Sequence, residues 1–425
     1  MLRIRFLSLL ITLLVISPLV ISVGGEIDVS VRVLPNMPRP RYNHTSVRTG
    51  ERIYVFGGTA DGTTSLAISE ALDPKANEWT ELPNMSIPRM RHTASYMEAL
   101  GRIIIVGGFQ GGGHPSLFRH FMGDGNISLS SCEFFDVETE RFTEAPSLET
   151  GRFWHNTHLL PNGSLLVMGG LNVTSGTLSS CELFDGKGWR VFPSLPIPLA
   201  RFASCVYPDG SILVAGGHNG TVKVGSRRAF LFEPSRGEWR EVSPMNRGRG
   251  YPGFCYLPGH GFLVSGGFSM PGMDDHTSAE IYIRETDKWV MTGNMSFPRH
   301  AHGSVVTADG RVMVAGGSNC ETGMCHSGME IYDPVKNEWE NIGSFIVARK
   351  WGTVTSTPDG DAVVIGGRAC NYATGRSELV LFSDVSSVET DTFLRDLCLG
   401  TMFLSIFLIL PAALVWKMRR LEGFD

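Results

Sequence analysis

The stretch ADGRVMVAGG at residues 308–317 contains an Asp-Gly turn, a run of apolar and β-branched residues, and a glycine pair that ends the run. Close copies recur as PNGSLLVMGG at 161–170, PDGSILVAGG at 208–217 and PDGDAVVIGG at 358–367. Pro, Asp and Gly favour tight turns, and a short apolar run between turn residues is typical of a buried strand. The stretch therefore predicts a hairpin turn, a strand packed on both faces, and glycines that permit backbone torsions and close approach.

Glycine pairs recur at nearly constant spacing, which indicates an internal repeat. The intervals between successive pairs are 50, 62, 47, 50, 50 and 50 residues, and the pairs begin at Gly57, Gly107, Gly169, Gly216, Gly266, Gly316 and Gly366. Each unit is predicted to open with an arginine, at Arg41, Arg89, Arg152, Arg201, Arg249, Arg299 or Arg349. After the glycine pair come a variable polar loop and a strand that carries Glu beside apolar residues. The unit closes with a tryptophan strand, at Trp79, Trp189, Trp239, Trp289 or Trp339, with Phe142 in the second unit.

This order of Arg, Gly-Gly, Glu-aromatic and Trp resembles the kelch repeat over nearly all of Val29–Phe382. The resemblance implies an all-β fold, namely a seven-bladed kelch-type β-propeller. The seventh unit lacks a tryptophan strand, whereas VSVRVLPNMPRPR at 29–41 aligns with EWTELPNMSIPRMR at 78–91. The N-terminal strand is therefore predicted to complete the last blade and close the ring, which would remove open sheet edges.

The first 25 residues are typical of a secretory signal peptide. Arg3 and Arg5 precede a long apolar stretch, and small residues follow it. An uncleaved N-terminal anchor is the alternative. The sequence thus predicts a signal peptide at 1–25 and a propeller ectodomain at 26–383.

The stretch LCLGTMFLSIFLILPAALVW at 397–416 runs 20 residues without a charge, which matches the ~20 helical residues needed to cross a bilayer. Basic residues follow it, and the positive-inside bias places them in the cytosol. We expect a juxtamembrane linker at 384–396, one C-terminal transmembrane helix, and a cytoplasmic tail at 417–425. A removable lipid-anchor signal with attachment at Ser386 or Ser387 is the alternative, against which the charged end argues.

A secretory route predicts a type I glycoprotein of the plasma membrane or a secretory compartment, with the propeller extracellular or luminal. The candidate glycosylation sequons are Asn43, Asn84, Asn126, Asn162, Asn172, Asn219 and Asn294. The 37 basic and 42 acidic residues form no basic stripe, so nucleic-acid binding is excluded.

Seven of the eight cysteines lie in the predicted ectodomain and divide into two groups in the repeat register, and the eighth, Cys398, lies in the predicted membrane helix. Cys132 and Cys181 hold equivalent places in neighbouring blades, as do Cys205 and Cys255, and packed sheets lie too far apart for disulfides between them. These four are predicted to be buried and reduced. A loop disulfide is expected within the remaining ectodomain set of Cys320, Cys325 and Cys370.

Galactose oxidase, whose catalytic domain is a kelch-like propeller, is the enzymatic family that the sequence resembles. That resemblance implies an axial copper held by two tyrosines and two histidines, one tyrosine being linked to a cysteine. GRGYPG at 248–253 places Tyr251 at a tyrosine position, and RFWHN at 152–156 places Trp154 where tyrosine is expected and His155 at a ligand position. No cysteine stands in this row, so copper and a catalytic site are not expected.

One residue per unit lies fifteen positions before the glycine pair and is expected near the axis: Tyr42, His92, Trp154, Arg201, Tyr251, Ala301 and Trp351. Loops of diverse length on a rigid ring suit recognition, so we predict a binding module for a protein or glycan ligand. The predicted binding residues are Tyr42, Trp154, Arg201, Tyr251 and Trp351, and no metal site is predicted.

Other activities have little support in the sequence. The histidines three residues after an opening arginine, at His44, His92, His155 and His302, are interpreted as structural. No Cys-x-x-Cys or Gly-x-Ser-x-Gly motif is present. A structural surface protein stays an alternative, sugar epimerisation has no residues to name, and the oligomeric state is not predicted.

Overall fold

Seven four-stranded antiparallel sheets form the described part of the chain, which comprises residues 27–111, 126–219, 225–269 and 274–384 of a computed structural model. The predicted signal peptide, membrane helix and tail lie outside these residues, as does nearly all of the linker. Within the described residues, no helix is long and apolar enough to span a bilayer. The main unit runs from Val31 to Val380, and residues 27–30 and 381–384 fall in a second unit.

Each sheet is one blade, and in blades one to six the strands follow in chain order from the first to the fourth. Blades one to three consist of Thr45–Thr49, Arg52–Phe56, Ser69–Asp73 and Glu78–Leu82; Thr93–Met97, Arg102–Val106, Cys132–Asp136 and Arg141–Ala145; and Asn156–Leu159, Leu165–Met168, Cys181–Phe184 and Trp189–Phe192. Blades four and five consist of Ala203–Val206, Ile212–Ala215, Ala229–Glu233 and Glu238–Val242; and Gly253–Leu257, Gly261–Ser265, Ser278–Ile283 and Lys288–Asn294.

Blades six and seven consist of Gly303–Val306, Val312–Ala315, Gly328–Asp333 and Glu338–Ser344; and Thr353–Ser356, Ala362–Ile365, Ser377–Asp384 and Ile27–Leu34. Short ribbons extend four of the blades, namely Phe109–Gln110 with Ile127–Ser128, Leu171–Asn172 with Gly176–Thr177, Phe268–Ser269 with Asp274–Asp275, and Arg368–Ala369 with Tyr372–Ala373. Two 3-10 turns lie at Glu98–Leu100 and Arg284–Thr286.

The last blade takes its fourth strand from the N-terminal end of the described chain, as the sequence predicts. Ile27–Leu34 lies beside Ser377–Asp384 in the seventh sheet. Thr353–Ser356 in turn contacts Thr45–Thr49, so the seven first strands form a closed circle. This confirms the seven-bladed propeller and the closure of the ring.

The core consists of successive layers between neighbouring blades. The second strands are the most buried elements, and every residue of Leu165–Met168 and Val312–Ala315 is buried, for example. Because both faces of these strands are covered, their sequences are continuous apolar runs rather than alternating ones. The stretch at 308–317 therefore contains the buried strand that its sequence predicts.

A buried ion pair joins the segment just before the first strand of most blades to the third strand of the same blade. The pairs are Arg41–Glu70, Arg89–Glu133, Arg152–Glu182, Arg249–Glu280, Arg299–Glu330 and Arg349–Glu378. Arg152 shows the pattern, since its guanidinium also donates to the carbonyls of Gly169 and Ser180, at 3.0 and 2.8 Å. Burial lowers the pKa of Arg152 and Glu182 opposes that effect.

In the fourth blade, two apolar side chains replace this ion pair, so the sequence-based assignment of its opening arginine was wrong. Leu199 stands where the other blades have the buried arginine, and Phe230, opposite Val214, stands where they have glutamate. Arg201, read from the sequence as the opening arginine, lies two residues further on. The segment LARF misleads because an arginine happens to follow the substituted position.

The glycine pairs are required by close packing between blades. Gly107 has a φ of +58°, and a Cβ there would lie 2.7 Å from the carbonyl oxygen of Arg152 in the next blade. The tryptophans bridge blades as well, since the indole Nε1–H of Trp239 donates to the carbonyl of Pro193 at 2.9 Å. The repeated residues of the sequence are thus the contacts between neighbouring blades.

Candidate binding site at the propeller axis

A closed ring of backbone hydrogen bonds surrounds the propeller axis. Seven residues, one from the start of each blade, have φ between 52° and 56°, and each N–H donates to the carbonyl of its predecessor at 3.0 to 3.4 Å. We call these residues the axial ring: Asn43, Arg91, Trp154, Arg201, Tyr251, Ala301 and Trp351. Their side chains are all half-buried and line one cavity of about 280 Å³, the axial mouth.

The axial ring contains four of the five predicted binding residues and excludes the fifth. Tyr42 is 4% exposed, and its ring stacks on Trp351 with a centroid distance of 5.9 Å. Asn43 takes the predicted place of Tyr42, and Arg91 takes that of His92. The prediction was one residue out in blades one and two because their first hairpins differ in length, Gly50 and Glu51 forming a short turn in blade one.

Asn43 and Arg91 could have been found by counting from a different landmark. In six blades the axial-ring residue lies two positions after the buried arginine, as Arg91 does after Arg89. Both residues precede the first hairpin of the blade, so the length of that hairpin does not change the spacing between them.

Trp154 lies between two guanidinium groups in the axial mouth. The Arg201 guanidinium carbon is 3.2 Å from the centroid of the Trp154 ring and 4.3 Å from that of Tyr251, and the Arg91 carbon is 4.3 Å from the Trp154 centroid. Cations over aromatic faces are attracted by the ring quadrupole. Burial lowers the pKa of Arg91 and of Arg201 to about 10 each, so both remain charged at pH 7.

The described residues that line the axial mouth include no Asp or Glu. Arg201 donates from Nη1 to Nε2 of His218 at 3.0 Å, its Nε has no hydrogen-bond partner, and no carboxylate in the described part of the chain forms an ion pair with it. A buried donor without an acceptor is costly. The mouth therefore presents positive charge and an unused donor between aromatic faces, which suits an anionic group.

The four histidines next to the axial ring link neighbouring blades. Nε2 of His44, His92 and His155 lies 3.3, 3.0 and 3.0 Å from the hydroxyl oxygens of Thr353, Thr45 and Thr93, and Nε2 of His302 lies 3.0 Å from that of Ser265. Burial and a nearby arginine lower the pKa of His44 and His155 to about 3. The neutral histidines are therefore part of the framework, in keeping with the structural interpretation.

These residues do not assemble the copper site that the galactose oxidase resemblance implies. His155 is hydrogen-bonded to Thr93, Tyr251 stacks on Phe268 with a centroid distance of 5.7 Å, and Trp154 occupies the second tyrosine position. Cys205 and Cys255 are buried in separate clusters between blades. The described residues at this axis thus do not form the donor set of that family.

The loop cysteines separate into a pair and a single thiol. The backbone N–H of Cys370 donates to Sγ of Cys325 at 3.2 Å, whereas Sγ of Cys320 lies 3.5 Å from Nδ1 of His300. All three are thiols in this structure, as are the buried Cys132 and the three others that were predicted to be reduced.

The sequons differ in how accessible their asparagines are. Asn172 is engaged, because its Nδ2 donates to the carbonyl of Gly151 at 2.7 Å. Asn43 belongs to the axial ring, and Asn126 is half-buried. The exposed asparagines are Asn84, Asn162, Asn219 and Asn294.

Comparison with known proteins identifies the repeats. The Kelch motif matches residues 40–86, 200–246 and 299–345. Human "Kelch-like protein 23" is 25% identical over 281 residues, which is 64% of this chain and 45% of that protein. "Kelch domain-containing protein 10" of Xenopus tropicalis is 27% identical over 38% of this chain and 37% of its own length. "Kelch repeat and BTB domain-containing protein A55" of Vaccinia virus is 30% identical over 33% and 24%.

The chain therefore covers less than half the length of these curated relatives. The solved "Structure of YjhT" has the same fold, with a TM-score of 0.53 and 14% identity over 82% of this chain and 99% of the other. Kelch repeats in a seven-bladed propeller are thus established, and such propellers are suited to protein binding.

Proposed function

We propose that this seven-bladed propeller of kelch repeats is a recognition module whose axial mouth binds a carboxylate-bearing segment of a partner protein. The observation that carries the proposal is the Arg201 guanidinium, which lies against Trp154 and Tyr251 in a mouth whose described lining has no acidic residue. Arginine binds carboxylates through directed, charge-assisted hydrogen bonds.

The size of the mouth favours a side chain or a chain terminus. Its volume of about 280 Å³ is at the lower limit of pockets that take drug-sized ligands, which span about 300–1,000 Å³. The edges of the Trp154 and Tyr251 rings would contact the aliphatic part of a glutamate or a terminal residue, because guanidinium groups and Phe268 cover the ring faces. The backbone ring fixes the positions of these side chains, so little conformational entropy would be lost on binding.

The test is a binding screen of the full-length protein against acidic peptides and their amidated counterparts. We expect Arg201→Ala to weaken acidic-peptide binding at least about tenfold, a loss typical of one charge-assisted contact, and Arg201→Lys to restore it in part. Arg228→Ala is the matched control, because Arg228 pairs with Glu241 at an exposed site.

Two outcomes would contradict the proposal. In the first, amidated peptides bind as tightly as acidic ones or Arg201→Ala binds as well as the parent. In the second, acidic glycans bind and acidic peptides do not, which would indicate that the axial mouth binds a sugar instead of a protein segment. A signal unchanged in both Arg201→Ala and Arg228→Ala would place the binding surface elsewhere.

We further propose that the protein is held at a membrane with the propeller on the non-cytosolic side. The support is the apolar stretch at 397–416, the leader-like segment at 1–25 and the exposed sequon asparagines. Glycosidase treatment of the expressed protein should lower its apparent mass, and the shift should shrink in the double variant Asn84→Gln, Asn294→Gln. A propeller that is unglycosylated and open to cytosolic protease contradicts this topology.

A further inference from the structure

Three chemically different metal-ligating side chains meet beside the axial ring, on segments from two adjacent blades. Asp275 ends the short ribbon of blade five, His300 directly precedes the ring residue Ala301, and Cys320 follows the glycine pair of blade six. The Asp275 side chain is fully buried, the His300 side chain is 8% exposed, and Cys320 is half-buried.

The ligand atoms of these residues lie close together. Nδ1 of His300 is 2.7 Å from Oδ1 of Asp275 and 3.5 Å from Sγ of Cys320. All three ligand atoms lie within 4.8 Å of one another. The backbone N–H of Cys320 also donates to Oδ2 of Asp275, which ties the two loops together.

We propose that Asp275, His300 and Cys320 form a binding site for one divalent transition-metal ion of the Zn²⁺ class. Carboxylate oxygen, imidazole nitrogen and thiolate sulfur are the ligands that zinc takes in proteins. Ligand atoms at zinc distances in a tetrahedron lie roughly 3.3–3.5 Å apart, so the Cys320–His300 spacing fits and the Asp275–His300 contact opens by about 0.6 Å.

The surroundings hold the His300 ring in a ligating orientation. Its Nε2 lies 3.1 Å from Oγ of Ser318, so the Nε2–H can donate there while Nδ1 faces the ion. Zinc-bound histidines usually donate their second N–H to such an acceptor, which fixes the tautomer. The ring also packs edge-on against Phe268 and Tyr251, with centroid distances of 5.4 and 6.2 Å.

The charge and coordination number suit an ion that is open to a ligand. Thiolate and carboxylate together neutralise a divalent cation, although Lys350 lies nearby and donates to Ser318 Oγ at 3.0 Å. Three protein ligands leave one position of a zinc tetrahedron for water or another molecule. His300 contacts Tyr251, which lines the axial mouth, so the proposed site lies next to the mouth.

Cobalt titration of the chelator-treated full-length protein tests the site. We expect one equivalent of Co²⁺ to bind with a thiolate-to-cobalt charge-transfer band, and Zn²⁺ to displace it. Cys320→Ser should abolish the band, and His300→Gln should weaken binding at least about tenfold. Cys370→Ser is the matched control, because this thiol lies beside Cys325 rather than beside His300, and it should keep the band.

A second measurement covers variants that fail to fold. Zn²⁺ should protect Cys320 of the unmutated protein from alkylation, as read by peptide mass spectrometry, while the alkylation of Cys370 stays unchanged. The proposal is overturned if Co²⁺ gives no thiolate band, if the band survives Cys320→Ser, or if Zn²⁺ leaves the alkylation of Cys320 unaltered.

Discussion

The buried ion pair of blade three offers a sharp test of how the blades are held together. Glu182→Ala would leave the fully buried guanidinium of Arg152 without its carboxylate partner, which now lies 2.7 Å away. It would also remove the acceptor of the N–H groups of Glu149 and Thr150, bonded at 2.7 and 3.3 Å. Breaking one side of a buried pair costs about 3–5 kcal/mol, so we expect a loss of that size in the free energy of unfolding.

The sequence of blade four shows which substitutions should compensate for the loss of the Arg152–Glu182 ion pair. Its Leu199 and Phe230 replace the ion pair, and Pro196, which has no N–H, stands where blade three has Glu149. The double variant Arg152→Leu, Glu182→Phe removes both charges and leaves the N–H groups of Glu149 and Thr150 without that acceptor, at a cost of about 1–3 kcal/mol for each buried donor. Adding Glu149→Pro removes the donor of the shorter bond and should recover part of the remaining loss.

Urea unfolding followed by tryptophan fluorescence would rank the parent, the triple, the double and the single variant in that order of decreasing stability. The control is Glu241→Ala, which breaks an ion pair of similar length, 2.7 Å, but with both side chains about half exposed. Such pairs contribute about 0–1 kcal/mol. The reasoning is refuted if the double variant is no more stable than Glu182→Ala, or if Glu241→Ala costs as much as Glu182→Ala.

Two further perturbations follow from the packing between blades. Acidification should destabilise the propeller, because burial lowers the pKa of His155 in the folded state to about 3, whereas the pKa in the unfolded chain is about 6.5. The contribution of His155 to the free energy of unfolding is therefore complete above about pH 6.5. It falls by about 2 kcal/mol by pH 5, because the unfolded chain takes up the proton first. Thermal unfolding against pH should become less steep in His155→Phe, which copies Phe202 of blade four, and an unchanged slope would contradict this origin. Gly107→Ala should cost at least about 2 kcal/mol, because its Cβ would lie 2.7 Å from the Arg152 carbonyl oxygen. Gly163→Ala, also at positive φ but with no atom within 4 Å, should cost only about 1 kcal/mol, and equal losses in urea would contradict the packing argument.

The repeat made the fold readable from the sequence. The buried arginine, the glycine pair and the tryptophan each make one contact between or within blades, so each recurs at the blade period. Arg152 and Gly107 meet in this way across two blades. The number of blades and the origin of the last strand could therefore be predicted without any three-dimensional information.

The axial site was predicted less well because side-chain position depends on hairpin length. A count from the glycine pair crosses the first hairpin, whose length varies, and it gave Tyr42 instead of Asn43. The pairing of Trp154 with two guanidiniums depends on which residues become neighbours around the ring, and Arg91 and Arg201 lie 63 and 47 positions from Trp154 in the chain.

The cluster beside the mouth could not be read from the sequence at all. Asp275, His300 and Cys320 stand in three separate segments with no motif spacing. They meet because the ribbon of blade five lies beside the loop of blade six, and the length of each loop decides that meeting. The repeat pattern of the sequence does not indicate this contact between loops.

The strand exchange in the seventh blade has a consequence for biosynthesis. Ile27–Leu34 leaves the ribosome early, but its partner Ser377–Asp384 follows only after roughly 340 further residues, which at about 5–20 residues per second takes about 20–70 s. For that time the nascent strand has exposed backbone donors and acceptors and can be captured by other chains. Slower translation would lengthen this exposure.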